Sequence, residues 1–460
     1  MNFDFIFNEN LLSFYIETGF YYFIRFFLSY GIWILLALII LRILWKHWTE
    51  KNKKKFLGKQ EYILLGISMP KDNQQGPEAV ERFFVHLAGI QEDITWYEKN
   101  IQGKRQLNIS LEVASIEGQI QFFIHTPVQF RDLVESAIYT SYPNLEIFEQ
   151  SEDYADNALE EFLEDRFDIW GADLKLVTQN PIPIKTYPES EHKLSKELKD
   201  PLIDLLEILG RLRESEQIWL QFVITPIGSE LKEEGEKLIK KILLGKDIDK
   251  RSKDNIADKL VFFLMKFAQD VVEFVKEVLD LHPTVDKFDE EKEKSVTLPS
   301  DKRLIEAIQN KISKIAFKSC VRIVYVADKE IFAKDRGITG VLGAFRAFQA
   351  VSLNSFEVSS VSRVIENNWK GSKILDAQKQ EVIKAYKKRA FSWRARVGLT
   401  KTFFKVKKFL AFSERSVPKS ILNTEELATV YHFPVNMIKA SLIKKTSSKR
   451  AEPPFGLPVK

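Results

Sequence analysis

Twenty residues from Phe26 to Trp45, FFLSYGIWILLALIILRILW, contain a single charge, Arg42. At about 1.5 Å per residue a helix of this length spans roughly 30 Å, the hydrocarbon thickness of a bilayer, so the stretch reads as a transmembrane helix. Arg42 lies within a turn of its end, where a long side chain can snorkel to the headgroups, and Trp45 falls at the expected interface. Asp4, Glu9 and Glu17 precede the stretch, and a run with Lys46, Lys53, Lys54 and Lys55 comes after it. The positive-inside rule converts this bias into an N-terminus outside and a cytoplasmic body, a single-pass protein of the inner membrane in contact with its lipids. A cleaved signal peptide needs a basic start and a small-residue cleavage site, and neither is present. On this reading residues 1–25 are an extracytoplasmic segment, 26–45 the anchor and 46–59 a basic juxtamembrane linker.

Beyond residue 60 the chain has globular composition, with 45% apolar and 29% charged residues overall. The one cysteine, Cys320, sits in the apolar run SCVRIVYVA, which excludes an intrachain disulfide and a Cys-rich metal site. The net charge of +4 hides an asymmetry: residues after 300 carry about 32 Lys and Arg against about 13 acids. Such a field attracts phosphates or an acidic partner.

Alternating and helical periodicities give a compact order from residue 60 to 150. Strands are expected at 61–68, 107–115, 119–125 and 144–150, helices at 76–90 and 127–142, with Glu117-Gly118 as a hairpin turn. The order β-α-β-β-α-β is that of a ferredoxin-like unit. A second such unit is expected over 168–362, with strands at 170–179, 216–226, 318–327 and 354–361 and helices at 201–213 and 329–351. A helical hairpin inserted over 228–299 interrupts it. The fold class expected is therefore α+β: a transmembrane helix and then two ferredoxin-like units.

Residues 363–460 form a basic extension. Lys384, Lys387, Lys388, Arg389, Arg394, Arg396, Lys401, Lys405, Lys407 and Lys408 are interleaved with Tyr386, Phe391, Trp393, Phe403 and Phe404. Cations among rings can grip phosphate and stack bases, can lie on anionic lipid, or can form a plain docking surface. Downstream, Asn423 and Glu426 have the spacing of a capping box that opens a short helix ended by Pro434.

Motifs of chemistry are missing. No G-x-x-x-x-G-K-[ST] loop, no G-x-S-x-G elbow and no HExxH pair occurs, and the glycines at 337, 340 and 343 suit close helix packing rather than a dinucleotide loop. No catalytic residue, metal or cofactor is expected.

Three stretches, LLGISMPKDNQQGPEAVERFF, VRIVYVADKEIFAKDRGITGVLGAFRAFQ and ILNTEELATVYHFP with SKRAEPPFGLP, resemble the membrane-proximal, non-ATPase region of bacterial type IV secretion and conjugation coupling-protein-like ATPases of the TraD and HerA kind. In those relatives the Pro-Pro-x-x-Leu-Pro segment precedes the motor, which this sequence lacks. The resemblance implies a non-enzymatic platform or adaptor for a separate ATPase, self-associating or partnered. The alternative is a tethered nucleic-acid-binding protein that uses residues 384–408.

Overall fold

The computed structural model describes residues 32–70, 73, 75–156, 166–190, 201–244, 299–350, 352–364, 372–391 and 419–434. They fall into two units, residues 1–59 with 94–105, and residues 60–93 with 106–460.

In the first unit a helix, α1 (Ile32–Leu57), runs through the stretch expected as a linker. The expected transmembrane helix is not found: among the described residues no helix is long and apolar enough to cross a membrane. Residues 26–31 of the expected span lie outside the described residues. From Ile32 to Trp45 the helix rises only about 21 Å, short of the ~30 Å of hydrocarbon, and beyond it come Lys46, His47, Glu50, Lys51 and Lys53 to Lys55. The single-pass inner-membrane placement and the lipid contact through that helix are corrected with it. What α1 does hold is the segment 94–105: Trp45 stacks on Trp96 at 6.0 Å and lies 5.3 Å from Trp48. Asn52 Nδ2 donates to the Ile101 carbonyl at 2.8 Å. Gly103, at φ +78°, sits where a Cβ would strike the backbone of Asn52, so both its conformation and its lack of a side chain are required.

Among the described residues the second unit is built on a nine-stranded antiparallel sheet. Its strands are β1 (Tyr62–Ser68), β2 (Ile109–Ile116), β3 (Gln119–Pro127), β4 (Glu146–Gln150), β5 (Phe167–Leu176), β6 (Glu216–Pro226), β7 (Ala316–Asp328), β8 (Phe356–Arg363) and β9 (Ser420–Asn423). The order is β4-β1-β3-β2-β6-β7-β5-β8, and β9 adds to β7. The expectation of two ferredoxin-like units is corrected here, because β2 pairs with β6 over its whole length, from Ile109 opposite Ile224 to Ile116 opposite Gln217. The two halves are one sheet. With the strands numbered within each half the order is fourth, first, third, second from either edge, so the antiparallel β2–β6 pair acts as a local two-fold axis.

Cross-strand register assigns the faces. One face carries Phe122, Phe222, Phe317 and Tyr325. Helices α2 (Pro77–Leu87), α3 (Arg131–Ser141), α4 (Pro201–Gly210) and α7 (Lys334–Phe345) supply apolar side chains to the same core. The Phe84 ring meets Phe317 at 6.1 Å, and Gly337 lets α7 approach so closely that a Cβ would lie 2.8 Å from the Tyr325 ring. The opposite face is covered by α8 (Ser372–Lys387); a Cβ on Gly171 of β5 would lie 2.6 Å from Val382 of this helix. Two further helices, α5 (Glu230–Leu243) and α6 (Pro299–Ile312), pack together through Leu238, Ile242 and Ile308. The second arm of the expected inserted hairpin lies outside the described residues. A last helix, α9 (Thr424–Val430), continues directly from β9.

Candidate functional site

The strands β2, β6, β7 and β5 each carry a charged or amide side chain near their middle, between apolar residues: Glu112, Gln221, Arg322 and Asp173. Register places them side by side. Glu112 is opposite Gln221, Gln221 opposite Arg322, and Arg322 opposite Asp173, so they form one polar row across four central strands, directly over the junction of the two halves. All four are buried. An ionised group without a partner there would cost several kcal/mol, so the row persists only because it is closed by hydrogen bonds.

The closing partner is the end of α8. Arg322 donates to the Asp173 carboxylate at 2.7 Å, to Gln221 Oε1 at 3.0 Å, to the Ala385 carbonyl at 3.0 Å and to the Ala390 carbonyl at 2.8 Å. Gln221 Nε2 donates to the Tyr386 carbonyl at 3.0 Å, and Asn108 Nδ2 to the Arg389 carbonyl at 2.8 Å. A helix leaves its last carbonyls without intrahelical donors; here sheet side chains supply them, and two guanidinium charges face the negative end of the helix dipole.

Backbone bonds from Ala390 N–H to Ala385 and from Arg389 N–H to Tyr386 complete a Schellman motif. Its left-handed position, usually glycine, is Arg389 at φ 45°. The side chain accounts for the exception. Arg389 donates to both Glu112 oxygens, at 2.9 and 3.2 Å, and to the Lys387 carbonyl at 2.8 Å, and it pairs with Asp153. Glu112 also accepts from Ser110 at 2.7 Å, Gln221 at 3.0 Å and Tyr154 at 2.8 Å.

These contacts set the titration of the groups involved. Burial alone would raise the Glu112 pKa, but the charge and hydrogen bonds of Arg389, with the Ser110 hydroxyl, bring it below the ordinary carboxylate range. Burial and the nearby Glu112 push the Tyr154 and Tyr386 phenols well up, so both stay protonated, 2.5 Å apart. His125, stacked on Tyr62 at 4.8 Å, is held neutral by burial and by Arg389, with its pKa lowered to about 4. Burial raises the Cys320 thiol to about 12, which leaves it protonated. The oxygens of Glu112 are used in binding side chains of this chain, so the arrangement neutralises charge and fixes geometry. Among the described residues no group of three or more His, Cys, Asp and Glu side chains could hold a metal ion.

A second buried constellation lies at the other end of β7. Lys311 and Glu426, both fully buried, pair at 2.9 Å. Glu426 accepts from the Ile184 N–H at 2.8 Å and the Asn423 N–H at 3.0 Å, while Asn423 Oδ1 accepts from the Glu426 N–H, so the capping box is formed. Behind it Tyr431 and Phe433 enter the core against Phe122, at 6.1 and 5.3 Å.

Of the ten cations expected to grip phosphate, the structure describes four. Lys384 and Lys388 are exposed, Lys387 is half-buried and pairs with Asp156 at 2.6 Å, and Arg389 is buried in the pair with Glu112. Arg394, Arg396, Lys401, Lys405, Lys407 and Lys408 lie outside the described residues. The polar row itself went unread in the sequence. Its signal is a Glu, Gln, Arg or Asp flanked by apolar residues in the middle of each strand, at Glu112, Gln221, Arg322 and Asp173.

A family model described as a domain of unknown function, DUF8128, matches residues 47–446. No curated protein matches the chain.

Proposed function

We propose that this chain, which belongs to the DUF8128 family, is a non-enzymatic platform that docks a separate ATPase of the secretion or conjugation kind. The observation that carries this reading is the polar row. The buried ionisable groups of the row and its cap, Glu112, Arg322, Asp173 and Arg389, bond to one another and to the end of a helix. Perturbed, buried ionisable groups in enzymes normally face a cleft and a substrate; here they brace the centre of a large sheet. A rigid sheet with its charges satisfied suits a surface that other proteins assemble on. The resemblance of three stretches to the non-ATPase region of coupling-protein-like ATPases supplies the class of partner.

The test is affinity purification of the tagged full chain, with mass spectrometry of what accompanies it and an ATPase assay of the isolated chain. A co-purifying ATPase with a Walker-type loop, and no hydrolysis by the chain alone, is the expected result. A chain that comes down alone in repeated preparations removes the platform reading. Nucleic acid released by salt would move the function to the basic residues between 384 and 408, because phosphate contacts weaken steeply with ionic strength.

A further inference from the structure

Exposed apolar side chains gather on α1 of the first unit. Trp33, Ile40, Leu41, Leu44 and Trp48 are exposed, from 39% at Trp48 to 69% at Trp33, and Ala37 is exposed among them. At 3.6 residues per turn these six positions fall within one stripe about 100° wide. Trp45 and Asn52, which hold the segment 94–105, lie beside the stripe, so that segment leaves it open. A contiguous apolar face of this kind marks a place where something docks.

The stripe is its own complement. Reversed end to end, it sets Trp33 opposite Trp48, Ala37 opposite Leu44 and Ile40 opposite Leu41, all three pairs sharing one centre between Ile40 and Leu41. A two-fold axis through that centre therefore gives every exposed apolar position an apolar partner, ring against ring at both ends and the smallest side chain against a leucine. Charge decides the direction. The same face continues into Lys51 and Lys55, both exposed. Two copies in parallel would bring these cations together along the contact. In the antiparallel arrangement the two Lys51 residues stand about 30 Å apart along the axis, several times the ~8 Å Debye length of physiological salt.

We infer that this face of α1 is a self-association surface, and that its occupant is α1 of a second copy, antiparallel about a two-fold axis between Ile40 and Leu41. The pairing requires no ATPase, so its test stands apart from that of the platform.

The native mass of the purified full chain tests the occupant, and thiol cross-linking tests the direction. The expected mass is that of two chains at micromolar concentration. Leu44→Glu, which sets a carboxylate against apolar side chains, is expected to weaken the association by about tenfold or more. Unchanged exchange protection of β2 and β6 shows that the sheet survives this change, and Ala37→Arg serves where Leu44→Glu fails to fold. With a short bis-maleimide, Leu41→Cys is expected to join to itself, and Trp33→Cys to join to Trp48→Cys when the two variants are co-expressed but not to itself. Cys320, buried with its thiol protonated, leaves the unaltered chain unjoined. A monomer overturns the inference, as does a dimer indifferent to these changes or a Trp33→Cys variant that joins to itself. Binding of a monomer to vesicles of phosphatidylcholine and phosphatidylglycerol in equal parts, lost in Leu44→Glu, gives the face to lipid and overturns it too.

Discussion

Arg389 holds a conformation that side chains other than glycine seldom adopt, at φ 45°. Left-handed backbone at a non-glycine residue costs on the order of 1 kcal/mol or more, and it persists only where the surroundings fix it. Here they do: Glu112 and Asp153 bind the guanidinium, and Asn108 binds the carbonyl of the same residue. Two effects can therefore be separated by substitution. Arg389→Ala loses the pairing and keeps the strain, whereas Arg389→Gly loses the pairing and relieves the strain. Both leave Glu112 buried beside polar donors but without its counter-charge, a loss of roughly 3 to 5 kcal/mol for a broken buried pair. The glycine variant is expected to be the more stable of the two by about 1 kcal/mol, and Glu112→Gln is expected to recover part of the loss in either. Urea unfolding of the two single variants and of each combined with Glu112→Gln measures this. An alanine variant as stable as the glycine variant would show that the strain carries no energy. The sequence offered Arg389 as one of ten phosphate-binding cations, and nothing in its neighbourhood could reveal otherwise. The carboxylate that claims it, Glu112, lies on a strand far earlier in the chain.

At the scale of elements, α9 was the most legible part of the C-terminal hundred residues, whereas the strand β9 that leads into it was not read. Asn423 and Glu426 at i and i+3 are a local signal, and local signals survive in a sequence because the atoms that meet are close along the chain. What Glu426 does besides capping was not legible. Its second role needs Lys311 from α6 and the N–H of Ile184, and no periodicity connects those three places. α8 was missed for a related reason: its left-handed cap position is Arg389 where a glycine would signal a helix end, and Arg322 and Gln221, which also bind its last carbonyls, lie on strands far earlier in the chain. The double role of Glu426 makes a specific expectation. Lys311→Met leaves a buried carboxylate with backbone donors alone, and Glu426→Gln leaves a buried ammonium with neutral acceptors and no counter-charge, so each single change should cost about 3 kcal/mol. Made together they remove both charges while keeping most of the cap. The double variant is then expected to be more stable than the sum of the singles by at least about 2 kcal/mol, the range found for residues sharing one network. A double-mutant cycle on thermal or urea unfolding decides it, and strict additivity would mean that the pair is not coupled.

Across the whole sheet, the strand segments between residues 61 and 361 could be read within a few residues because apolar alternation is a property of each strand by itself. How the segments join could not. Alternation states which face a residue occupies but not which strand lies beside it, and the β2–β6 ladder links residues about a hundred positions apart. The polar row depends on that ladder, so it was hidden for the same reason. The stretch at 26–45 failed differently. Its composition satisfies a length rule, while α1 carries the helix on through a basic second half whose described contacts are with residues 94–105. Joining the halves has a consequence for unfolding. If 60–150 and 168–362 were separate domains, each with its own core, they would melt independently. In the sheet as built, β2 and β6 are both interior strands, one apolar core runs from Leu64 to Phe433, and the end of α8 bonds Asn108 of one half and Arg322 of the other. Opening either half strips buried polar groups of the other of their partners. The second unit is therefore expected to unfold in one transition, with the fluorescence of Trp170 and Trp219 in the second half and the exchange of β1 and β3 amides in the first sharing a single urea midpoint. Two separated midpoints would mean that the β2–β6 ladder does not couple the halves. A change that unpairs the junction, such as Val113→Pro in the middle of β2, should then split the transition while leaving the β5–β7 amides protected, because a proline there removes a ladder donor where the sheets of the two halves meet.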